Sequence, residues 1–145
     1  MLFINEENGN RGGKKYAEIA ARELEADENI YVAAMESDAG GFSPRGFSMD
    51  APDELVAQVK EWAPLFEPYN IHRFKKGWSG VDIGPLKELK KRPFFIGLIP
   101  DGQRYFDFHH SSSDVFENVH KRELELGAGT MASMIVLIDK YIPAP

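Results

Sequence analysis

Two short apolar runs near the start of the chain flank an amphipathic stretch, and this order constrains the fold more than any other feature. The runs are MLFIN (residues 1–5) and the first part of NIYVAAMESD (29–38), and each leads into carboxylates. Between them, GGKKYAEIAARELEAD (12–27) has apolar residues at helical spacing. A strand–helix–strand order with short links predicts a parallel α/β unit, and strands that are apolar throughout predict a sheet covered on both faces. We therefore predict an α/β fold of three layers, with a mostly parallel sheet and flanking helices.

The rest of the chain adds elements of the same kind. FFIGLI (94–99) predicts a third strand, and KRELELGAGTMASMIVLIDKYI (121–142) predicts a long, half-buried helix. The segments between these elements predict turns over 39–52, loops over 67–93, and a turn, a short edge strand and a polar loop over 100–119.

A further helix is predicted over DELVAQVKEWAPLF (53–66). Asp50 or Asp53 is the expected cap, because a short carboxylate can accept a free N–H group of the first helical turn. Pro64 is expected to bend or end this helix, because proline lacks the backbone donor.

Composition excludes several classes of protein. A length of 145 residues predicts one domain, and a net charge of −6 argues against a nucleic-acid partner, which requires a basic face. The chain has no cysteine, so disulfides and thiolate zinc sites are excluded, and any metal must be bound by His, Asp or Glu. No apolar run approaches the roughly 18 residues of a membrane span, so no membrane partner is expected.

Reactive side chains follow three of the predicted strands. Glu6-Glu7 ends the first strand, Asp38 follows the second, and His109-His110 comes one turn after the third. Ligands of parallel α/β sheets bind at the carboxyl ends of strands, and carboxylate and imidazole ligands suit zinc. Each group taken alone is more often a solvated acid, a turn residue or a surface histidine. Their common position at strand ends is what points to a site.

These segments also resemble a known family. LFINEENGNRGGKKYAE (2–18) closely resembles the signature of co-catalytic zinc exopeptidases of the aminopeptidase and carboxypeptidase Q (plasma glutamate carboxypeptidase) family, in which an apolar strand ends in Glu-Glu before an Asn-Gly turn. AMESDAGGFSPRGFSM is similar to the family segment whose Asp binds metal. GVDIGPL and YFDFHHSSSDVFENV are similar to its C-terminal segments, in the same order. The resemblance extends from about Leu2 to Tyr141.

The resemblance implies a role for each of these groups. Glu6 matches the general base that activates a metal-bound water, while Glu7 and His110 match ligands of one zinc ion and Asp38 a ligand of the other. His109 falls where many relatives carry a tyrosine that hydrogen-bonds the tetrahedral intermediate. A division of labour between adjacent glutamates is chemically sensible, because one carboxylate can bind metal while its neighbour stays free to take a proton.

Two further acids receive roles around the site. The resemblance places Asp114 next to the metal ligands, and Asp82 is expected to line the substrate pocket. The alternative for Asp114 is a helix N-cap, and the alternative for Asp82 is a turn-forming residue.

The sequence departs from the family pattern before the glutamate pair. There the family has a His in a His-x-Asp motif and an Asp that bridges both metals, whereas here no histidine precedes His72. We therefore expect at most one weak zinc site. Residues 1–145 are interpreted as a single partial domain, the C-terminal part of a zinc peptidase catalytic domain, and the chain is expected to be inactive.

Three functions remain open at this stage. The first is a metal-dependent exopeptidase acting on N-terminal residues or dipeptides, with a short peptide as substrate. The second is a non-enzymatic α/β module that self-associates, since an uncovered sheet edge at LFIN predicts a homo-oligomer. The third is a relative of the aminoacyl cyclases, which share the fold and the ligand pattern. A periplasmic or secreted location is only a family expectation.

Overall fold

The computed structural model describes residues 3, 6–27 and 31–143. Within them, a four-stranded mixed sheet forms the centre of the fold, in the order β1-β4-β2-β3. The predicted MLFIN strand falls outside the described residues except for Phe3. The strands are β1 (Ala33–Glu36), β2 (Pro44–Asp50), β3 (Arg73–Lys76) and β4 (Phe94–Pro100).

The pairing of the strands confirms the predicted fold class. β4 runs parallel to β1, with Ala33 opposite Phe94, and β2 runs parallel to β3. Only the pairing of β2 with β4 is antiparallel in the described sheet. β4 is buried along almost its whole length, which is why the apolar run FFIGLI could be recognised from the sequence as a central strand.

Helices cover both faces of the sheet, as three layers require. α1 and α5 match their predictions, and α2 occupies the first half of the helix predicted over 53–66. The α-helices are α1 (Arg11–Asp27), α2 (Asp53–Lys60), α3 (Ala63–Phe66), α4 (Tyr105–Phe108) and α5 (Lys121–Tyr141), and short 3-10 helices span Glu67–Tyr69, Gly84–Glu88 and Phe116–Asn118.

Alternating side chains of β4 feed two separate cores. Phe95 is fully buried with Ala20 of α1 and Leu86, on one face of the sheet. Ile96 is buried with Met134 of α5 on the other face, where α2 also packs. This is the two-residue period of a strand whose faces are both covered. Within the part of the chain that the structure describes, no helix is long and apolar enough to cross a bilayer.

The segment 39–52, predicted as turns, contains a seven-residue strand, β2. The strand could not be predicted because the glycine, serine and proline residues of this segment favour turns. Phe47 and Met49 are fully buried in the core, with 0% of their surface accessible to solvent. Gly46 has φ +156° beside a register shift against β4, and a Cβ there would overlap the carbonyl oxygen of Arg73 on β3. The glycine is therefore needed for close pairing of two strands.

Two other local predictions were wrong. The short edge strand expected within 100–119 is not found there, and that segment contains α4 and a 3-10 helix. β3 lies instead in the segment 67–93, which was expected to be loop. Its sequence RFKK carries three exposed cationic side chains, so it has no apolar alternation from which a strand could be predicted.

The predicted capping of α2 was also wrong. Pro52 occupies the N-cap position and no side chain caps the helix. Asp50 and Asp53 are engaged in ion pairs instead, with Lys87 at 2.7 Å and Lys76 at 2.6 Å. α2 ends at Lys60, before the proline, and the proline falls in the first turn of α3, where its missing N–H is not needed.

Candidate active site at the carboxyl ends of the strands

A cleft of about 480 Å³ collects six of the seven residues singled out from the sequence. It lies where β1 and β4 end, as expected for ligand sites of parallel strands. Asp82 is not in its lining, although its neighbour Val81 is. The predicted residues that line the cleft are Glu6, Glu7, Asp38, His109, His110 and Asp114.

The turn that carries the glutamate pair is built by its Asn-Gly-Asn sequence. The backbone N–H groups of Gly9 and Asn10 donate to the carbonyl oxygen of Glu6, at 3.1 and 2.9 Å. Gly9 and Asn10 have φ of +91° and +52°, a region that glycine and asparagine adopt readily. The Asn10 side chain accepts from the N–H of Gly13 at 3.2 Å, as an N-cap residue of α1 does, and donates to the carbonyl oxygen of Val81 at 2.7 Å.

Glu7 and His110 meet directly across the cleft. Nε2 of His110 lies 2.9 Å from Oε1 of Glu7, and the two side chains are 61% and 70% exposed. His110 has φ +53°, an uncommon backbone conformation for a non-glycine residue. Its ring stacks on that of His109 at 3.9 Å between centroids, and His109 stacks in turn on Tyr105 at 4.6 Å. The three rings therefore form one aromatic stack along the cleft.

Carboxylates lie close together in and beside the cleft. Burial raises the pKa of Asp38, and the charge of Glu7 raises it further against the opposing effect of His109. Burial, together with the charges of Glu7, Asp38 and Asp82, also raises the pKa of Glu6. Burial and the charge of Asp38 raise the pKa of Asp82, whose Oδ1 is buried without a hydrogen-bond partner in the described structure. Protons or a cation bound here would relieve this repulsion.

Asp114 and Asp82 each had an alternative structural role, a helix N-cap and a turn-forming residue respectively. Asp114 is not a helix N-cap, because Val115 holds that position before the 3-10 helix and no side chain caps it. Asp82 does lie in a turn, which the N–H of Gly84 closes by donating to the carbonyl oxygen of Val81 at 3.2 Å. A turn-forming role for Asp82 is therefore compatible with its position beside Asp38.

These residues fit a zinc site only in part. Their oxygen and nitrogen donors have the right chemistry. However, no group of three or more His, Asp or Glu side chains in the described residues is arranged to hold a metal ion. Glu7 and His110 contact each other and can offer two donors to one ion, whereas no hydrogen bond links Asp38 to either of them in the described residues. Among the described residues the donor set for zinc is therefore incomplete.

Three carboxypeptidase Q proteins align with most of this chain. Those of Bos taurus and Mus musculus are 28% and 27% identical to it over 91% and 99% of its length, and that of Xenopus laevis is 32% identical over 79%. The matched parts cover 27%, 30% and 23% of those proteins. The chain is similar to one part of carboxypeptidase Q. The resemblance inferred from its motifs is therefore confirmed.

A solved structure supports the same relationship. The crystal structure of a peptidase M28 precursor from Shewanella amazonensis superposes with a TM-score of 0.80 at 25% identity, over 99% of this chain and 32% of that one. No protein-family model matches the chain. The chain thus spans about a quarter to a third of the length of the curated relatives it matches.

The sequence interpretation missed several residues around this carboxypeptidase Q-like cleft. Tyr105, Phe108 and His120 line it, and Phe42 packs against Phe108 with ring centroids 5.8 Å apart. His120 carried a signal, since it is the third histidine of the segment 109–120. Tyr105 and Phe108 carried none, because their positions depend on α4, which the sequence did not predict.

Proposed function

We propose that this chain forms one part of a metal-dependent exopeptidase site that hydrolyses N-terminal residues or dipeptides. The observation that carries the proposal is the position of the Glu6-Glu7 turn opposite His110, with Glu7 bonded to the histidine and Glu6 beside Asp38. The similarity to carboxypeptidase Q supports the choice of a peptide substrate. In this proposal residues 1–145 act as a single partial domain.

Glu6 is the proposed general base. Its carboxylate shares the cleft with Glu7 but makes no ion pair in the described structure, so it stays free to accept a proton from an attacking water. A base of this kind then returns the proton to the leaving amine of the peptide. His109, stacked on Tyr105 at the rim, is the proposed donor to the carbonyl oxygen of the substrate.

Zinc is the cofactor that the family resemblance favours. Bound zinc would polarise the scissile carbonyl and lower the pKa of a bound water. Glu7 and His110 are the proposed ligands of one ion and Asp38 of the other, with Asp114 and Asp82 beside them. Because each set is incomplete among the described residues, we expect the chain alone to bind zinc weakly and to hydrolyse no dipeptide.

A chimera tests the peptidase assignment. This chain would replace the structurally matched third of the Shewanella peptidase, which supplies the remaining residues. We expect the chimera to hydrolyse dipeptides, and Glu6→Gln to lower kcat by about 100-fold to 10,000-fold, the usual contribution of a general base. Glu18→Gln, on the exposed face of α1, is the matched control. A folded, zinc-loaded chimera without activity would contradict the assignment.

Assays of the unmodified chain test its proposed inactivity separately. Dipeptide hydrolysis with added zinc that disappears in Glu6→Gln would show that the chain is a complete enzyme. That result would be consistent with the peptidase assignment. It would contradict only the expectation that the chain alone has too few zinc ligands to be active.

A self-associating α/β module is the second candidate. In the described sheet β1 is an edge strand, and an apolar groove of about 580 Å³ lies between it and α5. Open strand edges recruit other strands, and apolar grooves are covered when two copies associate. We propose a homodimer through this edge, which is compatible with either function.

A further inference from the structure

Glu36 is a buried carboxylate that none of the proposed catalytic steps uses. It ends β1, two residues before Asp38, and only 9% of its surface is accessible. Its Oε1 accepts from the backbone N–H of Asp82 at 3.2 Å and its Oε2 from that of Ile83 at 3.0 Å. One side chain therefore satisfies two consecutive backbone donors of the segment 81–83, and a buried donor left without a partner is costly.

Neighbouring glycines confirm how tightly this contact is packed. A Cβ on Gly80, which has φ +138°, would overlap the carboxylate of Glu36. A Cβ on Gly13, in the first turn of α1, would approach both the carbonyl oxygen of Asp82 and the Asn10 side chain. The segment 81–83 is thus held between the end of β1 and the start of α1, with no room for even a methyl group on either side.

The same segment is bonded to the turn that carries the glutamate pair. The side chain of Asn10 donates to the carbonyl oxygen of Val81 at 2.7 Å, and the backbone N–H of Asn10 closes the turn on the carbonyl oxygen of Glu6. A continuous series of contacts therefore leads from Glu36 through 81–83 and Asn10 to Glu6 and Glu7.

We propose that Glu36 is a positioning residue that holds the segment 81–83 and, through the Asn10 contact, sets where the Glu6-Glu7 turn lies relative to His110. This inference rests on the proposed function only in assigning that turn to the site. In this proposal the buried carboxylate links β1, which Asp38 follows, to the turn that carries Glu6 and Glu7.

Residue-resolved amide exchange by NMR on the metal-free chain tests the proposal. Each rate is compared with that of Met134, which is fully buried in α5 and reports global unfolding, so an increase that Met134 does not share is local. In Glu36→Gln one backbone donor must face an amide NH₂ group, so exchange at Asp82 and Ile83 should rise. The deciding readout is the pair Gly9 and Asn10, whose relative exchange should also rise about tenfold, as expected for a lost charge-assisted hydrogen bond.

A second variant tests the route of the coupling. Asn10→Asp keeps the acceptor for Gly13 but removes the donor to Val81. If the contacts act in series, adding Glu36→Gln to Asn10→Asp should change exchange at Gly9 no further, and additive effects would overturn the proposal. Unchanged relative exchange at Gly9 in Glu36→Gln would also overturn it, because Glu36 would then anchor only its own loop.

Glu88→Gln is the matched control, an exposed glutamate at the end of the nearby 3-10 helix. It should leave exchange at Gly9 unchanged. No zinc and no substrate enter these measurements, so their failure is distinct from failure of the peptidase assignment.

Discussion

Nε2 of His110 lies 2.9 Å from Oε1 of Glu7, although 103 positions separate the two residues in the chain. The contact joins the turn before α1 to the segment after α4, at the edge of the sheet where β1 and β4 end. It is the point at which the two ends of the family motif meet in space, and it makes the metal-binding part of the proposal testable.

We predict that the chain binds zinc at one weak site that requires this pair. Calorimetric titration should show saturable binding in the wild type and none in His110→Ala, because a single remaining carboxylate holds zinc poorly. His72→Ala is the control, since this exposed histidine does not line the cleft. Equal loss in both histidine variants would contradict a site at His110.

Gly46→Ala should destabilise the fold strongly. The new Cβ would overlap the carbonyl oxygen of Arg73, and the backbone at φ +156° disfavours any side chain. We expect the free energy of unfolding to fall by about 1–3 kcal/mol, a typical cost of overpacking. Urea unfolding measures it, with Gly102→Ala as the control because nothing lies within 4 Å of a Cβ there. A loss as small as that of the control would mean that β2 and β3 are paired less closely.

Asp50 should contribute stability that is lost in acid. The hydrogen bond from Lys87, aided by the charges of Lys87 and Arg92, lowers the pKa of Asp50 below its ordinary value of 3.8. The unfolded chain therefore takes up the proton first as the pH falls, and the contribution present above pH 3.8 disappears below it.

The variant Asp50→Asn isolates this contribution. It should unfold more easily than the wild type by up to about 1 kcal/mol near neutral pH, the range of partly exposed ion pairs. The difference should shrink in urea unfolding at pH 3. Glu117→Gln, an exposed glutamate, is the control. A difference that is the same at both pH values would show that the ion pairs do not cause it.

The two cores could be predicted from the sequence because their elements are locally consistent. β4 is an uninterrupted apolar run and α5 has helical periodicity, so each carries its structure in its own residues. β2 does not, because Gly46 and Pro44 read as turn residues until their pairing with β3 and β4 is known. β3 is a strand only because its backbone pairs with that of β2 on one side.

The cleft, too, could be predicted only in part from the sequence. Glu6, Glu7, Asp38 and His110 could be found from motifs, because the motifs fix which residue types occur at a strand end. Their separations could not, since the meeting of Glu7 with His110 depends on the path of the chain over 101–110. Glu36 was visible beside Asp38 in the sequence, but its bonds to Asp82 and Ile83 exist only in the folded chain.

Tyr16 should titrate at unusually high pH. Burial, together with the hydrogen bond between its hydroxyl and that of Tyr31 at 2.8 Å, raises its pKa to about 12. The folded chain keeps this proton longer than the unfolded chain, so stability should fall as the pH rises from 10 towards 12.

Ultraviolet titration of the phenols can detect this group. The absorbance step with its midpoint near pH 12 in the wild type should be absent from Tyr16→Phe, and the decline of stability with alkali should be shallower in that variant. Tyr69→Phe is the control, since Tyr69 is 63% exposed. A high-pH step that persists without Tyr16 would assign it to another tyrosine.

The proposed homodimer should depend on the groove between β1 and α5. Ile135 lines this groove and is 54% exposed, so Ile135→Glu would place a charge in the interface and should convert a dimer to a monomer at micromolar concentration in light scattering. Val136→Glu is a close control, because Val136 is the next residue of α5, is 63% exposed and lines a different groove. A monomeric wild type would contradict the proposal outright. Equal dissociation of both variants would place the interface elsewhere on α5, because only one of the two side chains faces the edge of β1.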